Sequence, residues 1–412
     1  MLYDVCVVGA GTMGSSTAYH LSKKENLNVC LVGPGEPERK TEDREVFGCH
    51  YDEGRITRII SEAPTEQILA YQGTLSYPEL ERESSLNIFT EVGMAVIGPE
   101  GDAIVDGYVT TTDNFCEKEG LICEKVDENF IKDRWSYFLP CENCYGRFSK
   151  KFNGYISVRN LVKACQSVAE KNGVKRFFEV AKGITKKANG CYKVDLENGH
   201  AISSKKIVVA CGSFTNFYNL LPGKKQLDLQ LIGHTVLKFE LDEEAVVKMA
   251  DMPSMIYKPK LDASYIYILP PIKYPNGKTY LKIGHVVRPN FQYKDELGTP
   301  LETLSDVQKW YCQEDYPNAR KYFKRHFKMM YPDVEPVSEE LDFCVMALTT
   351  SGKQMIGFVE ENFLVAAGGN GKSAKFGLQI GKICADSVVK GEWDCDLLDP
   401  EDFKVRFMDG EA

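Results

Sequence analysis

No apolar stretch in the sequence approaches the roughly 18 residues that a membrane-spanning helix needs, so no membrane association is expected. Positive charge is in deficit. The 50 Lys+Arg against 59 Asp+Glu leave a formal charge of −9, which suits neither a nucleic-acid backbone nor an anionic lipid surface and leaves a small molecule as the expected partner. The 14 cysteines follow no short-period framework, which excludes a disulfide-stapled scaffold and makes reduced thiols the expectation. Cys141 and Cys144 have the spacing of half a zinc site, but no second pair or Cys-His partner stands at ligand spacing, so no metal is expected. Internal repeats, low-complexity tracts and Asn-x-Ser/Thr acceptors are also missing. A strand opens at Tyr3 with no basic-then-apolar leader before it, and the last residues, Gly410, Glu411 and Ala412, do not match a Ser-Lys-Leu tail. The expected location is therefore cytoplasmic rather than peroxisomal.

What is present points to a chain of 412 residues divided between two intertwined domains, because one hydrophobic core stops growing well below this length. Residues 3–8 form a short apolar run without alternation, as in a strand covered on both faces, followed by a turn at Gly9 and a helical stretch from Met13 to Lys24. Val29 to Val32 completes a β-α-β unit. The same style returns in a helix over 159–172, ended by Gly173, and in a hairpin turning at Asn198 and Gly199. It returns again in a buried strand over 207–212 that ends in Gly212, and in a final strand over 363–367 that runs through glycines into a helix from Lys375. The fold class read from this is α/β: a Rossmann-like dinucleotide-binding domain over 1–84, 155–219 and 342–412. Residues 85–154 and 220–341, richer in Tyr, Pro and charge, are read as a sheet-rich α+β substrate domain inserted twice.

Gly9-x-Gly11-x-x-Gly14, with Thr12 and Met13 at the helix start, carries the first chemistry. Glycine permits the tight turn, close approach to a pyrophosphate and close helix-strand packing, while the helix N-terminus offers free N–H groups. The acid that usually ends the second strand and holds a ribose is replaced by Gly33, Pro34 and Gly35, and Glu36 is the nearest substitute. The glycine turn alone suits NAD as well as FAD.

Four further segments, with the Asn-Gly hairpin and the C-terminal glycine-rich junction, resemble the D-amino-acid-oxidase superfamily of flavoproteins. The likeness is closest to its monomeric sarcosine oxidase, N-methyltryptophan oxidase, pipecolate oxidase and fructosyl-amine oxidase group. Residues 48–58 are similar to that group's His-(Gly/Asp)-x-Arg-x-x-Arg segment, with one extra residue between His50 and Arg55. The resemblance implies FAD, with His50 and Arg55 near the isoalloxazine and Arg58 on the substrate carboxylate, a role that a guanidinium fork suits. Cys344 stands where the group carries FAD on a thioether to the 8α-methyl, and residues 367–376, which contain Gly368, Gly369, Gly371, Lys372, Lys375 and Phe376, are similar to its Gly-x-x-Gly-x-x-x-Lys-Phe run. Lys375 would be the second carboxylate-binding cation, and Lys372 replaces a frequent histidine. Lys282, before Gly284 and His285, would stand over the flavin face as the cation that assists oxygen. One of Tyr257, Tyr265, Tyr267 and Tyr280 is expected to face the substrate amine.

The resemblance implies an oxidase of a secondary or N-methylated small amino acid, in which hydride transfer gives an imine and O2 is reduced to hydrogen peroxide. A fructosyl-amino-acid oxidase, a dehydrogenase with a non-oxygen acceptor and a flavin-binding protein without turnover are the alternatives. The oligomeric expectation is a monomer or small homo-oligomer.

Overall fold

The computed structural model describes residues 1–61, 63–259, 265–286 and 297–408. The C-terminal tripeptide discussed above lies outside these residues. The parallel strands Lys175–Phe177, Val29–Val32, Leu2–Val8, Ala201–Val209 and Phe363–Ala367 lie side by side in that order as the centre of an eight-stranded sheet. Val29–Val32, Phe363–Ala367 and the apolar stretches 5–8 and 207–209 are buried on both faces, which is why they read as continuous rather than alternating. Helices Thr12–Ser22, Val158–Lys171 and Gly377–Lys390 pack together beside this sheet. The Val158–Lys171 helix has the periodicity expected of it: Leu161, Val162, Cys165, Val168 and Ala169 are all buried, and Ser157 caps its first turn. The hairpin from Tyr192–Leu196 into Ala201–Val209 turns where expected, with Gly199 at a φ of +82°.

A second, nine-stranded sheet collects strands from both expected insertions, and a short three-stranded sheet joins Arg55–Thr57, Phe89–Thr90 and Gly154–Ile156. The two longest strands of the large sheet, Leu229–Glu240 and Ser338–Thr349, pair antiparallel along their whole length. The domain boundary expected at 341/342 therefore falls inside a strand. Ser338–Thr349 belongs whole to the second sheet, because breaking its ladder midway would leave buried N–H and C=O groups unpaired, and the chain re-enters the first sheet only at Met355–Glu360. Helices Leu304–Tyr311 and Pro317–Met330 cover the sheet through Trp310, Phe323 and Phe327. Among the described residues no helix is long and apolar enough to cross a membrane.

At the first turn, Gly9 has a φ of +111°, and a Cβ on Gly14 would lie 1.8 Å from the Gly9 carbonyl oxygen. The helix must approach the strand this closely to present its N-terminus, so only glycine fits at 14. Gly14→Ala is expected to lower stability by about 1–3 kcal/mol through overpacking and to abolish dinucleotide uptake, read by urea unfolding and by flavin absorbance after gel filtration. A variant with wild-type unfolding midpoint and full uptake contradicts the reading of this turn.

Candidate active site

One deep cleft of about 360 Å³ runs between the two large sheets. At one end Gly9, Gly11, Thr12 and Met13 line it together with Gly33 and Pro34, Gly33 lying directly against Ala10. Gly14 sits behind them as the packing contact. The Thr12–Ser22 helix has no side-chain cap at Gly11 and no acid in its first turn, so its N–H groups remain available to an anion. Gly212 also lines the cleft, at a φ of +57°.

The other end is built from 46–58, the Cys344 strand and the C-terminal glycine loop, 367–375. Asn370 fixes that loop: its Oδ1 accepts from the Thr349 N–H at 2.9 Å and its Nδ2 donates to the Gly368 carbonyl at 2.7 Å. Its own N–H donates to Ala347 O at 3.0 Å. The loop bearing Gly369 and Gly371 is thereby tied to the strand bearing Cys344.

His50, Arg55, Arg58, Cys344, Lys372 and Lys375 all line the cleft. Arg58 is buried and braced by the Ile60 carbonyl and the Tyr108 hydroxyl, the latter at 3.1 Å, with its guanidinium over the Tyr108 ring. Lys375 donates to Lys372 O at 3.1 Å, and burial holds its ammonium well below the usual lysine range, opposed by the nearby Glu66 carboxylate. Glu66 is paired with Lys372 at 2.7 Å. Burial alone would raise its carboxyl, but Lys375, Lys372 and Arg58 together bring it down to about 2. Burial pushes the Cys344 thiol up to about 12, against the field of Arg55. His50 is pushed down to about 3 by burial and by Arg159 and Arg44, so it is a neutral imidazole.

Besides Gly14, two further expected site residues do not line the cleft. Glu36 is bonded instead to Arg159 at 2.9 Å, and Arg159 also pairs with Glu53. The Arg159 guanidinium takes its carboxylate. Lys282 is wholly buried, with its ammonium held by Asp52 at 2.6 Å and by the Gly54 carbonyl. The cation expected over a ring face is thus paired with an internal carboxylate. Burial outweighs Asp52 and, with Arg55 nearby, brings Lys282 down to about 8.

Sequence reasoning gave no role to several residues that the fold brings here. Asp52, 1% exposed, accepts from Arg55, Lys282, the Tyr274 hydroxyl at 2.8 Å and the Gly54 N–H at 3.3 Å. These cations and donors keep its carboxyl far below the usual range against the cost of burial. Its signal was an acid three residues before Arg55, on the same segment. His234 and His285 stack with ring centroids 4.4 Å apart, both on the cleft wall, and neither His285 nitrogen has a protein partner. Of the four candidate tyrosines, Tyr267 lines the cleft, whereas the Tyr257 hydroxyl accepts from Cys141 N and Tyr280 contacts Asn276 and Glu340.

An uncapped helix N-terminus at a glycine turn, a long apolar cleft and unpartnered buried nitrogens at His50 and His285 fit a dinucleotide whose ring system reaches the second sheet. This is the architecture of a dinucleotide-dependent redox enzyme. Over residues 4–387 the chain matches the family model described as FAD dependent oxidoreductase, and it belongs to that family. It is 26% identical over 405 residues to the monomeric sarcosine oxidase of Arthrobacter sp. (strain TE1826), covering 96% of this chain and 94% of the relative. Over 400 residues it is 22% identical to the N-methyl-L-tryptophan oxidase of Escherichia coli O1:K1 / APEC, covering 96% and 98%. In fold it is similar to NikD, an unusual amino acid oxidase essential for nikkomycin biosynthesis, with a TM-score of 0.75, 19% identity and 98% of each chain covered.

Asp52→Asn removes the anion from a buried cluster that retains two cations, and a stability loss of about 3–5 kcal/mol is expected by guanidinium unfolding. A loss within about 0.5 kcal/mol, the range of an ordinary surface change, contradicts the buried cluster.

Proposed function

We propose that the protein is an FAD-dependent oxidase of a secondary or N-methylated small amino acid. The observation that carries this reading is the pair of cations at one end of the cleft: Arg58 braced by Tyr108 and Ile60, and Lys375 on the glycine loop. FAD supplies the two-electron acceptor. Gly9, Gly11, Thr12, Met13 and Gly212 hold its dinucleotide part, while Gly369, Gly371 and Lys372 direct backbone and charge toward the ring. Cys344 carries it as a thioether.

The protein's own part is binding, orientation and exclusion of water. Arg58 grips the substrate carboxylate with the guanidinium edge left free by its two braces, and Lys375 takes the second carboxylate oxygen. That grip converts the encounter into an intramolecular one and fixes which C–H faces the ring. The imidazoles of His234 and His285 are neutral, because burial depresses both. A neutral wall favours the uncharged amine, the form that can release hydride to leave an imine, and Tyr267 offers its ring face on the same side. Water then hydrolyses the imine, and O2 leaves as hydrogen peroxide.

A second reading, a dehydrogenase using a non-oxygen acceptor, is favoured by the pairing of Lys282 with Asp52, which neutralises the cation that would stabilise superoxide. Stopped-flow mixing of the reduced protein with air separates the two: an oxidase reoxidises within seconds, a dehydrogenase stays reduced for minutes.

Arg58→Met and Lys375→Met are each expected to raise KM for N-alkyl amino acids by a factor worth about 2–4 kcal/mol, with little effect on amines that lack a carboxylate. Steady-state kinetics on both substrate types checks this, and a carboxylate substrate indifferent to both changes rules the grip out. Acid precipitation of the purified protein is expected to give a yellow pellet that turns colourless in Cys344→Ser and stays yellow in Cys49→Ser.

A further inference from the structure

Three thiols line the cleft, and their surroundings differ. Cys211 donates to the Val8 carbonyl at 3.3 Å. Cys49 donates to the Val345 carbonyl at 3.1 Å and lies 3.1 Å from the Tyr311 hydroxyl. Cys344 has an imidazole at its sulfur. The antiparallel pairing of Leu229–Glu240 with Ser338–Thr349 sets His234 directly opposite Cys344, so both side chains leave the same face of the sheet, and His234 Nδ1 lies 3.8 Å from Cys344 Sγ.

The other ring nitrogen decides the tautomer. His234 Nε2 lies 3.2 Å from the carbonyl oxygen of His285, an acceptor with no proton to give. Nε2 therefore carries the hydrogen, and the neutral ring has its lone pair on Nδ1, toward the thiol. The ring is held there by its stack on His285 and by Tyr267, whose ring is parallel within 8°. An imidazole oriented by a carbonyl on one side and facing a cysteine on the other is the arrangement that activates a sulfur nucleophile.

We propose that His234 is the base that takes the proton of Cys344 when its sulfur is joined to the 8α carbon of the flavin, an inference that rests on the covalent attachment proposed above. The thiol proton passes to Nδ1, and the sulfur electron pair forms the S–C bond. One C–H bond of the 8α-methyl breaks: its proton leaves and its electron pair stays in the ring system, which is thereby reduced by two electrons. Molecular oxygen is the oxidant that removes those electrons, taking the two released protons and leaving as hydrogen peroxide.

The charged and titratable groups around the pair come from several elements. Arg55 faces both residues from Arg55–Thr57, Lys282 faces His234 from Thr279–His285, and Lys40, Asp342 and Cys49 face the thiol. Burial leads in both cases, bringing the imidazole down to about 4 while the thiol rises to about 12. At rest the pair is thiol and neutral imidazole at neutral pH.

The full-length apoprotein, made under riboflavin limitation, can be reconstituted with FAD while two quantities are followed: flavin retained through native gel filtration, and the flavin mass on the denatured Cys344 peptide. In the wild type the covalent rate is expected to be flat between about pH 6 and 9, since the base is already free. His234→Gln is expected to retain FAD but to form the bond about 100-fold more slowly at pH 7. Its rate is expected to rise about tenfold per pH unit, because it then depends on spontaneous thiolate. His234→Ala is expected to regain rate with added imidazole. Acid-stable flavin formed at the wild-type rate, with a flat profile, in His234→Gln overturns this proposal alone. If the Gln variant takes up no FAD, a covalent rate in His234→Ala that ignores imidazole overturns it equally. Acid-extractable flavin in the wild type overturns the covalent reading and this proposal with it.

Discussion

The cleft depends on the buried carboxylate of Asp52. It binds Arg55 on its own segment and Lys282 on the second sheet, and the Tyr274 hydroxyl closes the cluster. Without it Arg55 and Lys282 would lose the carboxylate they share, leaving the Lys282 contact with the Gly54 carbonyl to join the 48–58 strap to the strand Thr279–His285. The positions of His50, Arg55 and Arg58 along one wall follow from that anchor, because the strap between them is short and its backbone is pinned at both Gly54 and Asp52. Such clusters cost desolvation energy on each ion and are weak sources of net stability. Their value here is geometric: one arrangement satisfies every member.

The electrostatics of the site divide along the cleft. At the carboxylate end stand Arg58, Lys372 and Lys375, softened by Glu66. Along the middle, His50, His234 and His285 are all depressed by burial and carry no charge at neutral pH. The zwitterionic substrate proposed above would thus be attracted by its acid end and meet an uncharged surface at its amine end.

The first sheet was legible because its strands are apolar runs buried on both faces and its turns are written in glycine, signals that local sequence carries by itself. The glycine turn at Gly9, the Asn198-Gly199 hairpin and the helix ended by Gly173 fall where periodicity puts them. The inserted sheet was legible only as strand-rich, since its pairing is long-range. That is why a boundary at 342 cut the strand Ser338–Thr349. The same limit governed the site. Residues of the glycine turn and the 48–58 segment are neighbours in sequence, and they line the cleft together. Lys282 and Glu36 were read as solitary charges, and each has a partner more than one hundred residues away in the chain, Asp52 and Arg159, that no local pattern could supply. His234 was silent for the same reason: alone on an apolar strand it is an ordinary buried histidine, and only the register with Cys344 gives it a neighbour worth a role.

Asn370 stitches the glycine loop to the strand of Cys344 through both its side chain and its backbone. The two ends of the ring-binding region are therefore mechanically one part. A displacement of the loop would be passed to the thiol strand through the Asn370 bonds to Thr349 and Ala347, so a group bound against one would feel a shift of the other.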